Sequence, residues 1–187
     1  MPSYDEALTL FHEWTKTDSL RRHAYAVEAA MGFYARHFGE DEERWRTTGL
    51  LHDMDYEKHQ TLDEHPYVGV KVLREAGYPE DVCEAILGHA NHTDQARTTL
   101  MAKTLYAVDE LAGFITAVAY VRPTGLEGMK PKSVTKKLKV KAFAAAVSRE
   151  DIREGAEALG IELSQHIANV IAGMQADATR LGFSASE

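Results

Sequence analysis

SLRRHAYAVEAAMGFYARHFG runs from Ser19 to Gly39, and the placement of its apolar residues decides the fold class. Leu20, Ala24, Val27, Met31, Tyr34 and Phe38 recur at alternating steps of four and three, which lines them up along one stripe of an α-helix. Gly39 stands where such a helix should stop. The same grammar continues outward in both directions. Ser3 and Glu6 form a capping-box pattern ahead of Leu8, Phe11 and Trp14, Pro79 opens another helix, Ser148 with Asp151 caps a third, and Gly77 and Gly160 mark further stops. There is no sustained period-two alternation bounded by hairpin signals, and no internal repeat. The spacing predicts an all-α bundle of roughly eight or nine helices, at about 3–16, 19–38, 41–54, 65–76, 79–91, 98–121, 132–146, 149–158 and 163–182.

A chain of 187 residues has room for one domain with a real core, so a single helical domain over 1–187 is expected. At 44% hydrophobic and 27% charged residues, it has the composition of a water-soluble globular protein. A formal net charge of -8 argues against broad electrostatic binding to a nucleic acid polymer or an anionic membrane. The lone cysteine, Cys83, can form no intramolecular disulfide and builds no thiolate metal site, which fits a reducing cytoplasm. The start, MPSYDEALTLFHEW, has no apolar signal core. The longest apolar run, GFITAVAYV, is about nine residues, far short of a membrane span. VRPTGLEGMKPK is the longest expected loop, a functional loop or a joint within the domain.

Three polar residues occupy apolar positions. His23 follows Leu20 by three and precedes Val27 by four, so it projects from the core-facing stripe. His52, three after Gly49 and seven after Trp45, sits at the inward edge of the third helix. Asp109 interrupts Leu105, Val108, Ala112 and Ile115. A single inward histidine is ordinarily a hydrogen-bonded core residue. An inward aspartate is different, because a buried unpaired carboxylate costs several kcal/mol and demands a cation, a hydrogen-bond network or a proton.

His23 in SLRRHAYAVE, His52-Asp53 in GLLHDMDY and Asp109 in LYAVDELAG form an ordered set that resembles the HD-domain metal-dependent phosphohydrolase superfamily. VRP at 121–123 and the KSVTKKLK segment look like a prokaryotic branch of predicted HD hydrolases of unassigned substrate. The resemblance covers about residues 18–120, implying an HD core there and a C-terminal helical extension over about 121–187. It implies metal ligands at His23, His52, Asp53 and Asp109. His65 in EHPYVGV and His89 in ILGHANH resemble the additional histidines of HD branches that bind two metals, with Asp53 bridging the ions. Asp53 and Asp109 are the implied catalytic carboxylates, holding metal and orienting water. Imidazoles and carboxylates without thiolate suit divalent transition ions, iron or manganese first, with cobalt, nickel or zinc also compatible. The expected reaction is hydrolysis of a phosphoester or phosphoanhydride in a small phosphorylated substrate, a nucleotide among the candidates, by metal-activated water. A diiron oxygenase on the same scaffold and a non-catalytic metal- or nucleotide-binding sensor stay open.

Several neighbours carry two readings. Lys58 and His92 are candidates for substrate contact, as are Asp55, Glu57 and His59, or they are solvated surface. Glu110 either orients a histidine or accepts a proton, or makes an ordinary salt bridge. Residues 130–141 hold six lysines and no acid. They form a solvated amphipathic helix with Val134 and Leu138 buried, or they join Arg122 so that Lys132, Lys136 and Lys137 close over phosphate. His12 and His166 are expected in surface or core roles, and Trp14 and Trp45, at helical spacing, in the core.

Overall fold

The computed structural model describes residues 1–183. Among these residues there are nine α-helices and no strand: α1 Tyr4–Trp14, α2 Asp18–Phe38, α3 Glu42–Leu51, α4 Tyr67–Glu75, α5 Glu80–His89, α6 Leu100–Tyr120, α7 Pro131–Leu138, α8 Arg149–Ala158 and α9 Leu163–Ala176. A 3-10 turn, Asn91–Thr93, follows α5. No helix among the described residues is long and apolar enough to cross a membrane.

The two longest helices, α2 and α6 at 21 residues each, pack on one another and form the centre. α3 and α9 lie against α2, while α5 and α8 lie against α6. Small side chains permit this close assembly: α2 buries Ala24, Ala26, Ala29 and Ala30, with Val27, Met31 and Tyr34 filling the space between them. At several contacts the missing Cβ of glycine allows the approach. A Cβ on Gly49 of α3 would come within 3.0 Å of the Glu28 Cα, and one on Gly155 of α8 within 2.5 Å of the Ala107 Cα on α6. One hydrophobic cluster reaches from Ala7 to Leu181 and includes Ile152, Ile167, Val170 and Met174, so α8 and α9 share the core of the earlier helices.

Buried polar groups lock the bundle. Glu28 is fully buried and accepts from Tyr4 Oη (2.7 Å), Arg46 Nη2 (2.7 Å) and Arg180 Nη1 (2.9 Å), which ties α1, α3 and the C-terminal turn to α2. Burial, and then the Glu28 charge, push the Tyr4 phenol up to about 12. His166 is a core histidine: Nε2–H donates to the Ala107 carbonyl (2.8 Å) and Nδ1 accepts from Tyr34 Oη (2.6 Å).

Helix limits differ from the sequence expectation where distant contacts decide them. α3 ends at Leu51, leaving His52 and Asp53 at its terminus. α7 ends at Leu138, although AFAAA at 142–146 favours helix by propensity. Ala144 sits at φ +43, and the Arg149 guanidinium takes the carbonyls of Phe143, Ala144 and Val147 while lying 4.9 Å over the Phe114 ring. α9 stops at Ala176, and the chain turns back so that Arg180 reaches Glu28.

Candidate metal centre

Five elements converge on one point. His23 projects from α2, Asp109 from α6, and His89 is the last residue of α5. His52 and Asp53 leave the end of α3 toward the same space, and His65 lies just before α4. His23 Nε2 is 2.9 Å from Asp109 Oδ1, and His52 Nε2 is 3.4 Å from both Asp53 Oδ2 and Asp109 Oδ1. On the other side of Asp53, Oδ1 lies 3.3 Å from His65 Nε2 and 3.2 Å from His89 Nε2.

The backbone and one carboxylate fix which nitrogen each ring presents. Nδ1–H of His52 donates to the Gly49 carbonyl (2.8 Å), that of His89 to Ile86 (2.5 Å), and that of His65 to Asp55 Oδ1 (2.7 Å). Each ring therefore turns Nε2 toward the carboxylates. His52 Nε2 is buried and has no hydrogen-bond partner among the described residues. A lone pair held against two carboxylates is repulsive unless a cation or a proton lies between them. Burial alone would lower the His52 pKa, but the charges of Asp53 and Asp109 outweigh it and raise it well above the usual value. Burial would likewise raise both aspartates, but His52 with His89 holds Asp53, and His52 with His23 holds Asp109, well below the carboxylate range.

The donor set fits divalent metal. His23, His52 and Asp109 form one group, and His52, Asp53 and His89 a second, with the donor atoms of each group within 4.8 Å of one another. Imidazole nitrogens and carboxylate oxygens without sulfur suit iron, manganese, cobalt, nickel or zinc.

Asp55 belongs behind this set. It is 1% exposed and accepts from both His65 and the Gly69 N–H (2.7 Å). A Cβ on Gly69 would lie 2.9 Å from the Asp55 Cγ, so glycine makes this approach possible. Neither of the sequence readings for Asp55, substrate contact or solvated surface, describes this buried position.

The donors open into a cleft of about 510 Å³. Its wall includes Tyr56, Leu62, Asn91, His92, Glu110 and Asp151. His92 thus lines the cleft, its Nε2–H donating to the His65 carbonyl (2.8 Å). Glu110 accepts from the Ser148 N–H (3.0 Å), and burial followed by the Asp109 charge raises it to about 6. Lys58, Arg122, Lys132, Lys136 and Lys137 do not line the cleft. The Lys58 ammonium lies 4.6 Å over the Trp14 ring, and that of Lys137 4.6 Å over Phe143. Arg122 spends its donors on its own loop, at the carbonyls of Gly125 and Glu127 (both 2.9 Å) and at Thr124 Oγ1 (3.1 Å).

Comparison with known proteins agrees with this geometry. A family model described as HD domain matches residues 20–113, half of the chain. Ribonuclease Y of Nitratidesulfovibrio vulgaris (strain DP4) is 29% identical over 98 residues, 52% of this chain and 18% of that protein. Ribonuclease Y of Thermotoga maritima is 30% identical over 136 residues, 68% of this chain and 26% of that protein. The aligned part thus spans 18% to 26% of the length of these relatives. No solved structure is significantly similar to the chain.

Proposed function

The chain belongs to the HD-domain family, and on that footing we propose that it is a metal-dependent phosphohydrolase acting on a small phosphorylated substrate. The observation that carries the proposal is the buried, unpartnered His52 Nε2, 3.4 Å from each of two carboxylates, an arrangement that a divalent cation relieves. In this reading His23, His52 and Asp109 would hold one ion and His65 and His89 a second, with Asp53 available to both. Iron or manganese is the first choice. When bound, the ions supply Lewis acidity, an acidified water and charge neutralisation at the phosphoryl oxygens.

The chain's own groups do the rest. Asp53 and Asp109, ionised beside bound cations, would hold them and accept a hydrogen bond from attacking water. The Nδ1–H bonds of His52, His65 and His89 keep the rings from rotating away. Val147 and Asp151, both beyond the HD-domain match, line the cleft. This supports reading 1–187 as one domain, with an HD core at about 18–120 and an extension that completes the wall.

The name of the relatives makes RNA the substrate of a second reading. One variant tests the centre itself. Asp109→Ala should lose both metal and hydrolysis while keeping its helical circular dichroism, and added metal should raise the melting temperature of the wild type far more than that of the variant. Full metal content in Asp109→Ala refutes the assignment. Oxygen uptake without phosphate release would restore the oxygenase alternative, and nucleotide binding without turnover the sensor.

A further inference from the structure

Beyond the six residues of the centre, the cleft is acidic. Glu110 and Asp151 line it, and among the described residues no lysine or arginine does. The two arginines that touch its wall from behind turn their donors to neutral groups of the protein and not into the cleft. Arg97 lies 3.5 Å over the Tyr106 ring and donates to the Gly88 carbonyl and Asn91 Oδ1. Arg149 is taken up by the carbonyls of Phe143, Ala144 and Val147.

Charge then limits what the cleft can hold. Two divalent ions with the carboxylates of Asp53 and Asp109 leave two positive charges, which one phosphate monoester dianion cancels. A second phosphate would extend beyond the centre into a cleft that Glu110 and Asp151 line and no lysine or arginine does, where the remaining imidazole, His92, already turns its Nε2–H to the His65 carbonyl. The same wall suits the other end of a monoester. Asp151 and Glu110 offer acceptors to hydroxyl or amine groups, and Tyr56 and Leu62 offer an exposed apolar rim.

We propose, resting on the phosphohydrolase reading, that this is a phosphomonoester site. It takes one terminal phosphate on a compact alcohol bearing hydroxyl or amine groups, and it discriminates against di- and triphosphates and against the phosphodiester chain of RNA. In the reaction the P–O bond to the alcohol breaks and the water oxygen bonds to phosphorus. One water proton leaves on the alcohol and the other stays on the phosphate, giving a free alcohol and inorganic phosphate.

The test uses the full chain loaded with manganese, with free manganese held constant. Adenosine mono-, di- and triphosphate and a ten-nucleotide RNA are compared by kcat/KM. At least a tenfold fall is expected for each added phosphate, and at least a hundredfold fall for the RNA. Asp151→Lys should raise the diphosphate-to-monophosphate ratio at least fivefold with metal content unchanged. Equal use of triphosphate or RNA, or an unaltered ratio in Asp151→Lys, overturns the proposal. If no compound is hydrolysed by metal-loaded protein, the phosphohydrolase reading fails by itself, and calorimetry with inorganic phosphate and pyrophosphate then decides the specificity. Phosphate binding at least as tightly as pyrophosphate supports a single-phosphate site, and tighter pyrophosphate overturns it.

Discussion

Asp55→Asn exchanges one oxygen for an amide nitrogen at a position where both oxygens are already engaged. His65 Nδ1–H occupies one and the Gly69 N–H the other, each at 2.7 Å. An amide can satisfy only one of these donors. If its oxygen stays on Gly69, its NH₂ faces His65 Nδ1, and the ring proton must move to Nε2. That proton would then point at Asp53 Oδ1, 3.3 Å away, and the lone pair proposed for metal would be lost. If the amide flips, Gly69 keeps a buried unsatisfied donor at a cost of about 1–3 kcal/mol. The tautomer change spares the fold and falls on the metal. Loss of the partner behind a ligating histidine costs about 10–100-fold in metal affinity, equivalent to about 1.4–2.7 kcal/mol. Chelator competition gives the affinity, and nitrogen NMR of the His65 ring gives its tautomer. The expected result is weakened binding, a proton on Nε2 and a metal-free melting temperature close to that of the wild type. Wild-type affinity for the full metal complement would refute the reasoning.

Two further predictions concern the core. Burial, and then the Glu80 charge, push the Cys83 thiol up to about 11, and the side chain is fully covered, so a thiol reagent at pH 8 should leave native protein unlabelled and label it fully in denaturant; rapid native labelling would mean that α5 opens locally. Burial holds the His166 pKa below its ordinary value of 6.5, so the unfolded chain binds the proton first, and the stability His166 contributes is present above about pH 6.5 and lost as pH falls. Denaturant unfolding at pH 7 and 5.5 should show a smaller acid loss in His166→Gln than in the wild type, by an amount limited to about 1.4 kcal/mol per pH unit; equal losses would contradict the assignment.

α2 is readable from sequence because one stripe of apolar residues both makes the helix and meets the core. The end of α7 is not, because AFAAA is held out of the helix by Arg149, whose other contact, Phe114, is far away in sequence. The same distinction runs through the centre. His23, His52 and Asp109 are legible as polar breaks in apolar patterns, and the remaining candidate ligands come from the family resemblance. Asp55 is hidden among charged neighbours, since its partners His65 and Gly69 are 10 and 14 residues on and meet it only in the folded chain. Arg122 and the lysines show the opposite limit of sequence. A basic run declares its charge but not what it faces, and here Arg122 faces its own loop and Lys137 an aromatic ring.

The missing methyl at Gly155 acts at a distance. With a Cβ there, carbon atoms 2.5 Å apart would have to separate by roughly 1 Å to reach ordinary contact. On one side of that contact stands Ala107, two residues before Asp109. On the other, Asp151 sits one turn earlier on the same helix as Gly155. The hydrogen atom in place of a side chain is therefore a gauge block between α6, which carries Asp109 and Glu110, and α8, which carries Asp151. The span of the cleft is set from behind, by a residue that does not line it.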